Sequence, residues 1–205
     1  MPKILLIETS TSLCSVALAD GDRIEASRES ESPRAHAAMT APFVGDVLDE
    51  CGIRAGQLDA VCVSAGPGSY TGLRVGVSTA KGICFAAGVP LLSVGTLDIL
   101  VAQARSEGLL PEGCRYVIPM VDARRMEVYT AIYTPEGHRL TEVEPRVVDA
   151  ESFRAERAEG PVLFIGDGAG KCREEFEAGH FRDVAYFEPF YLKDFVATVS
   201  RKKLF

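Results

Sequence analysis

Residues 65–76 read AGPGSYTGLRVG and sit between the apolar run Leu58–Ser64 and a helical pattern that takes hold at Leu73. Strand, glycine loop and helix in that order mark an α/β unit. Gly66, Gly68 and Gly72 surround Ser69 and Thr71, and such a loop offers positive φ, close backbone approach and free N–H groups at a helix N-terminus. That geometry suits an anion, yet it matches neither common nucleotide loop. GxxxxGK[ST] needs a lysine and a hydroxyl residue where Leu73 and Arg74 stand, and GxGxxG needs glycine where Thr71 stands. The competing reading is packing and capping, with Ser69 as the helix cap rather than a nucleophile, since no histidine or lysine base neighbours it.

Working outward, the chain opens on strands at Ile4–Ile7 and Cys14–Ala19, then Asp20-Gly21-Asp22 as a hairpin turn and a third strand near Arg23–Ser30. A helix opening at Pro33 or Arg34 follows, with Met39, Phe43, Val47 and Cys51 every four residues; Pro42 should kink it and Gly52 end it. Beyond the glycine loop, a helix Leu73–Ala87 stopped by Gly88, a strand Pro90–Val94 and a helix Thr96–Glu107 complete the order β-β-β-α-β-α-β-α. Leu109–Arg115 reads as a domain boundary, dividing the chain into 1–110 and 111–205. The grammar then restarts, with strands at Tyr116–Val121, Glu127–Tyr133 and Arg139–Val148. Asp149 should cap a short helix, and the strand Val162–Ile165 leads into a second glycine loop, residues 166–170. Two halves that each begin with three strands predict an internal duplication.

Composition narrows the function classes. The 205 residues are 47% hydrophobic and 25% charged, as in ordinary folded domains, and no apolar run approaches the roughly 20 residues of a membrane span. With no cleavable leader read at the start, a cytoplasmic, membrane-free protein is expected. The net charge of −7 is shared by both halves, so neither is basic enough to hold nucleic acid alone. The basic cluster Arg201, Lys202, Lys203 reads as a solvated end. Cys14, Cys51, Cys62, Cys84, Cys114 and Cys172 lack ligand spacing and read as small buried hydrophobes in a reducing compartment. His36, His138 and His180 form no HxxxH pair, so no metal site is expected.

Two acidic turns correspond between the halves: Glu8-Thr9-Ser10 and Asp122-Ala123-Arg124. In duplicated actin-like and ribonuclease-H-like folds such turns face each other across a cleft and hold a metal–nucleotide phosphate; the plainer alternative is that both carboxylates cap turns. The row Ala35, Met39, Phe43, Val47 is either core-facing or partner-facing. The second helix is rich in small residues, Gly72, Gly76, Ser78, Ala80 and Gly82, which lets another helix approach closely.

Four stretches together resemble one family: ILLIETSTSLCSVAL near the start, AGPGSYTGLRVGVSTAKG, VDARRMEVY at 121–129 and EPFYLKDFVAT at 188–198. They resemble TsaB, also called YeaZ, in order and over nearly the whole chain. The resemblance implies a duplicated actin-like (ASKHA, ribonuclease-H-like) α/β fold and a part in making N6-threonylcarbamoyladenosine beside the anticodon of tRNAs that read codons beginning with A. It implies a non-catalytic dimerisation scaffold that pairs with the metal-dependent TsaD, is joined by TsaE, meets tRNA only through the complex, and forms a homodimer when TsaD is absent. TsaD carries two metal-binding histidines four apart where this chain has Thr96 and Leu100, so the transfer site is expected to be missing. No cofactor is then required, and Glu8, Gly66, Gly68, Ser69, Thr71, Asp122 and Arg124 become a vestigial cleft with room for weak ATP or ADP binding. TsaB members pair with TsaD through the first two helices, which makes Met39, Phe43, Val75 and Thr79 interface candidates and favours the partner-facing reading of the first helix. On that reading Met39→Glu with Phe43→Lys abolishes pairing in a monomer that still folds. The chain departs from the family between Phe176 and Asp183, where the second half is shortened by deletion or by missing residues. The rival class is an enzyme of the same superfold, glycoprotease-like or a small-molecule kinase using Glu8 and Asp122 with Mg–ATP; a third is a direct tRNA-binding module, which the acidic balance disfavours.

Overall fold

Six-residue alternation in KILLIE puts Leu5 and Ile7 on one face of the first strand, and both are buried. The computed structural model describes residues 1–32, 35–170, 173 and 186–187. Strands β1 (Lys3–Glu8), β2 (Cys14–Asp20) and β3 (Arg23–Ser30) form an antiparallel meander. β4 (Ala60–Ser64) adds parallel to β1, and β5 (Leu91–Val94) parallel to β4, giving the order β3-β2-β1-β4-β5. Helices α1 (Ala35–Glu50) and α2 (Tyr70–Ala87) cover one face of this sheet. Their apolar residues close a core with Leu5, Ile7, Val16, Leu18, Val61 and Val63.

The start expected for α1, at Pro33 or Arg34, lies outside the described residues. Its burial repeats in pairs, Phe43 with Val44 and Val47 with Leu48, while Pro42 falls on the exposed side and the helix runs through it. Gly52 follows with φ +63°, a left-handed conformation that glycine adopts cheaply after a helix. α2 begins at Tyr70, three residues before the apolar pattern, because the Ser69 hydroxyl accepts the Gly72 N–H at 3.2 Å and caps it. Gly88, with φ +69°, ends it by donating its N–H to the Cys84 carbonyl at 2.9 Å.

The second half repeats the first. β6 (Tyr116–Asp122), β7 (Glu127–Thr130), β8 (Glu144–Val147), β9 (Val162–Ile165) and β10 (Tyr186–Phe187) take the order β10-β9-β6-β7-β8, strand for strand that of the first sheet. β7 and β8 are shorter than the sequence predicts: past Thr130 the pairing thins to single bridges, Val117 with Tyr133 and Tyr133 with Arg139. Asp149 is not the cap of α4 (Arg154–Glu159). Its Oδ1 accepts the Glu151 N–H and the Ser152 hydroxyl, closing a turn, and Phe153 precedes the helix.

Helix α3 (Thr96–Ser106) precedes the expected boundary, yet its apolar face packs on the second half. It buries Leu97, Val101 and Ala104 against Val117, Leu163 and Ile165 of the second sheet. The buried Tyr133 hydroxyl donates to Asp98 Oδ1 at 2.7 Å and fixes the helix there; burial and that carboxylate push the phenol well above its usual range. The opposite face of the second sheet has its own core, Ile118, Met120, Val128, Phe153 and Phe164. The departure between Phe176 and Asp183, Cys172, His180 and the basic run 201–203 lie outside the described residues.

Candidate functional site

The turn after β1 and the glycine loop after β4 meet in close packing. Thr9 and Ser10 are buried, the Ser69 N–H donates to the Ser10 carbonyl at 2.6 Å, and the Thr9 N–H reaches Ser64 Oγ at 3.4 Å. A Cβ on Gly68 would stand 2.2 Å from the Ser10 carbonyl oxygen, one on Gly72 2.1 Å from that of Thr9, and one on Gly76 2.2 Å from Thr9 Oγ1. Neighbouring backbone therefore fills the space left open at Gly68 and Gly72, and the buried Thr9 side chain fills it at Gly76. A Cβ on Gly66 would meet first the flexible end of Leu73, at 3.1 Å.

The second half does the same. A Cβ on Gly166, whose φ is +99°, would come within 2.3 Å of the Met120 carbonyl oxygen, and the Gly168 N–H donates to that oxygen at 2.9 Å. Both glycine loops hold a turn at the end of the central strand.

The two acidic residues serve their own turns. Glu8 Oε1 accepts the Ser10 N–H at 2.5 Å, and Asp122 Oδ1 accepts the Arg124 N–H at 2.7 Å. Asp167 Oδ1 in turn accepts the Asp122 N–H at 2.9 Å, tying the second glycine loop to that turn. Arg124 and Arg125 both have positive φ, +75° and +50°, which costs a residue with a side chain about 1–3 kcal/mol each. Among the described residues, no group of three or more His, Cys, Asp or Glu side chains is placed to hold a metal ion, and no helix is long and apolar enough to cross a membrane.

The exposed chemistry lies along the outer face of α2. Tyr70 is 73% exposed and Phe85 92% exposed, with Arg74, Ser78 and Lys81 between them. The Arg74 guanidinium lies 5.3 Å from the Tyr70 ring centroid and donates to the Tyr70 hydroxyl at 3.1 Å, so the pair forms one ledge. One groove beside it, about 470 Å³, is lined by Tyr70, Thr71, Arg74, Val75, Ser78 and Thr79. Another, about 520 Å³, runs past Pro67, Gly68 and Leu73 to Tyr129 of the second half.

The structure thus brings Thr71, Val75 and Thr79 together on one groove and Gly68 onto the other. It separates the remaining interface candidates. Phe43 is only 6% exposed and belongs to the core, and the half-buried Met39 packs against that core from its edge, so both side chains face the protein's own sheet rather than forming an open surface. The period of apolar residues is the same whether a stripe meets its own sheet or another protein, and here the sheet has claimed it. Sequence reasoning missed Tyr70, Arg74 and Phe85, although the signal was present: they lie on the face left over once Gly72, Gly76 and Ala80 are assigned to close packing.

Two copies of a 3-2-1-4-5 mixed sheet, joined through an exchanged helix, define the duplicated actin-like, ribonuclease-H-like α/β class. A family model described as TsaD: tRNA N6-adenosine threonylcarbamoyltransferase matches residues 28–194. The Bacillus subtilis (strain 168) tRNA threonylcarbamoyladenosine biosynthesis protein TsaB is 33% identical over 178 residues, covering 85% of this chain and 75% of the relative. The Escherichia coli (strain K12) protein of the same name is 36% identical over 173 residues, with coverages of 81% and 71%. Among solved structures, YeaZ from Pseudomonas aeruginosa aligns with a TM-score of 0.63 at 33% identity, over 74% of this chain and 69% of that one. A protein described as similar to peptidase YeaZ from Pseudomonas aeruginosa aligns with a TM-score of 0.71 at 31% identity, over 90% and 82%. The chain belongs to the TsaB (YeaZ) family.

Proposed function

We propose that this chain serves tRNA threonylcarbamoyladenosine biosynthesis as a pairing subunit, docking a TsaD-type transferase on the outer face of α2, with TsaE and tRNA engaged through that complex and a homodimer formed when TsaD is absent. The observation that carries the reading is the ledge of Tyr70 and Arg74 between two grooves, with the exposed Phe85 further along the same helix, in a chain whose relatives bear the name of that pathway. Exposed aromatic and arginine side chains beside open grooves are what interface anchors are made of. Size-exclusion chromatography with light scattering, on the chain mixed with TsaD from the same organism, is expected to give a one-to-one complex. Arg74→Glu with Phe85→Asp, both on exposed positions, is expected to weaken that complex at least about 100-fold while leaving the monomer folded. Undiminished co-elution of the double variant would remove α2 from the interface.

The same reading makes the chain non-catalytic. Glu8 and Asp122 spend a carboxylate oxygen on their own turns, the glycine loop spends its Ser69 N–H on Ser10, and Leu100 packs against the second core. Nucleotide is therefore expected to be dispensable: calorimetry should find no micromolar ATP binding, with or without Mg²⁺. Tight binding lost in Glu8→Ala would instead restore the enzyme reading.

A further inference from the structure

The outer face of α2 is a cationic stripe on an acidic protein. Over its 18 residues the helix carries Arg74 and Lys81 and no aspartate or glutamate, while the whole chain has a net charge of −7. Both cations are exposed, and among the described residues neither forms an ion pair; Arg74 leans on the Tyr70 ring and hydroxyl instead. Exposed cations on a helix with no acid of its own are complemented when a partner brings the carboxylates.

One of the two grooves beside Arg74 is built by both halves. The first half supplies Pro67, Tyr70, Leu73, Arg74 and Val77, and the second supplies Tyr129 from β7. Val77 and Tyr129 are half-buried, and each rests on a different core, so the two sides of the groove are anchored separately. Helix α3 sets the span between them. Its first residue, Thr96, donates its N–H to the Gly66 carbonyl at 3.0 Å, next to Pro67, and its Asp98 accepts the Tyr133 hydroxyl of the second half at 2.7 Å. The groove, about 520 Å³, is mainly apolar and open along its length, with a guanidinium on its lining. Such a surface takes a large apolar side chain and offers a charge to whatever flanks it.

We infer that this groove, and not α2 alone, receives the TsaD-type partner, as a segment that sets an aromatic or large aliphatic side chain between Tyr70 and Tyr129 and flanking carboxylates on Arg74 and Lys81. The inference rests on the pairing-subunit reading. It adds that the partner touches both halves at once, so docking depends on the span that α3 holds.

Photocrosslinking separates the two levels. In the full chain, Phe85 and Tyr129 are replaced singly by p-benzoylphenylalanine, with Val147, exposed on the outer strand β8, replaced as a control. Each protein is mixed with TsaD from the same organism and irradiated, and adducts are mapped by mass spectrometry. Positions 85 and 129 are expected to link to TsaD and position 147 is not, with the adduct from 129 in a segment bearing aspartate or glutamate. A link from 85 without one from 129, an equal yield from 147, or an adduct from 129 in a segment without acidic residues overturns the inference and leaves docking on α2 standing. No link from either 85 or 129 removes both. Salt tests the charge independently. The parent is expected to associate with TsaD about tenfold faster than Arg74→Gln combined with Lys81→Gln at about 0.05 M NaCl, an advantage that shrinks to about twofold at about 0.5 M. Equal rates at low salt, or an advantage that salt leaves unchanged, also overturn it.

Discussion

Gly72→Ala is expected to destabilise the first half by about 3 kcal/mol or more, because the new methyl carbon would stand 2.1 Å from the Thr9 carbonyl oxygen and 3.3 Å from Ser69 Oγ. Neither neighbour yields easily: one is backbone at the end of the central strand and the other is the cap of α2. Gly82→Ala, on the same helix with nothing within 4 Å, is the matched control and is expected to stabilise by up to about 1 kcal/mol through helix propensity alone. Urea unfolding of both variants decides the matter. A Gly72→Ala protein within about 0.5 kcal/mol of the parent would mean that the turn at Thr9 gives way at little cost and that this close approach does not hold the first half together.

Met39→Glu with Phe43→Lys is expected to unfold the isolated chain. Removing a buried phenylalanine costs about 3–5 kcal/mol before any charge is considered, and a lysine in its place must be desolvated or must drag water into the core. That sum approaches the roughly 5–15 kcal/mol that holds a domain together. Circular dichroism and one-dimensional NMR of the purified variant should show lost cooperativity. A folded monomer that had lost only its partner would return α1 to the interface, against the burial of Phe43 and Val47.

Much of the fold is legible in the sequence, and the reasons are local. Alternation in β1 and β2, the hairpin at Asp20-Gly21-Asp22 and the glycines after α1 and α2 each have one structural outcome, and the structure realises it. The duplication follows from repetition of those same signals. The site is less legible because its signals are two-valued. A glycine loop before a helix looks the same whether an anion or a neighbouring carbonyl comes close, and only the position of Ser10 and Thr9 distinguishes the two. An apolar stripe looks the same against a sheet or against a partner, which is why Phe43 reads as docking surface while Phe85 goes unnoticed. The destination of α3 lies beyond local reading altogether, since a helix pattern names its apolar face and not the sheet that receives it.

The most direct test of the pairing-subunit account is the threonylcarbamoyladenosine content of tRNA, measured by mass spectrometry in the source organism after depletion of this chain and re-expression of variants. The account predicts that the modification falls on depletion, returns with the parent chain and with Glu8→Ala combined with Asp122→Ala, and does not return with Arg74→Glu combined with Phe85→Asp. The reverse pattern, rescue by the α2 variant and failure of the carboxylate variant, would contradict it and place the chemistry in the cleft.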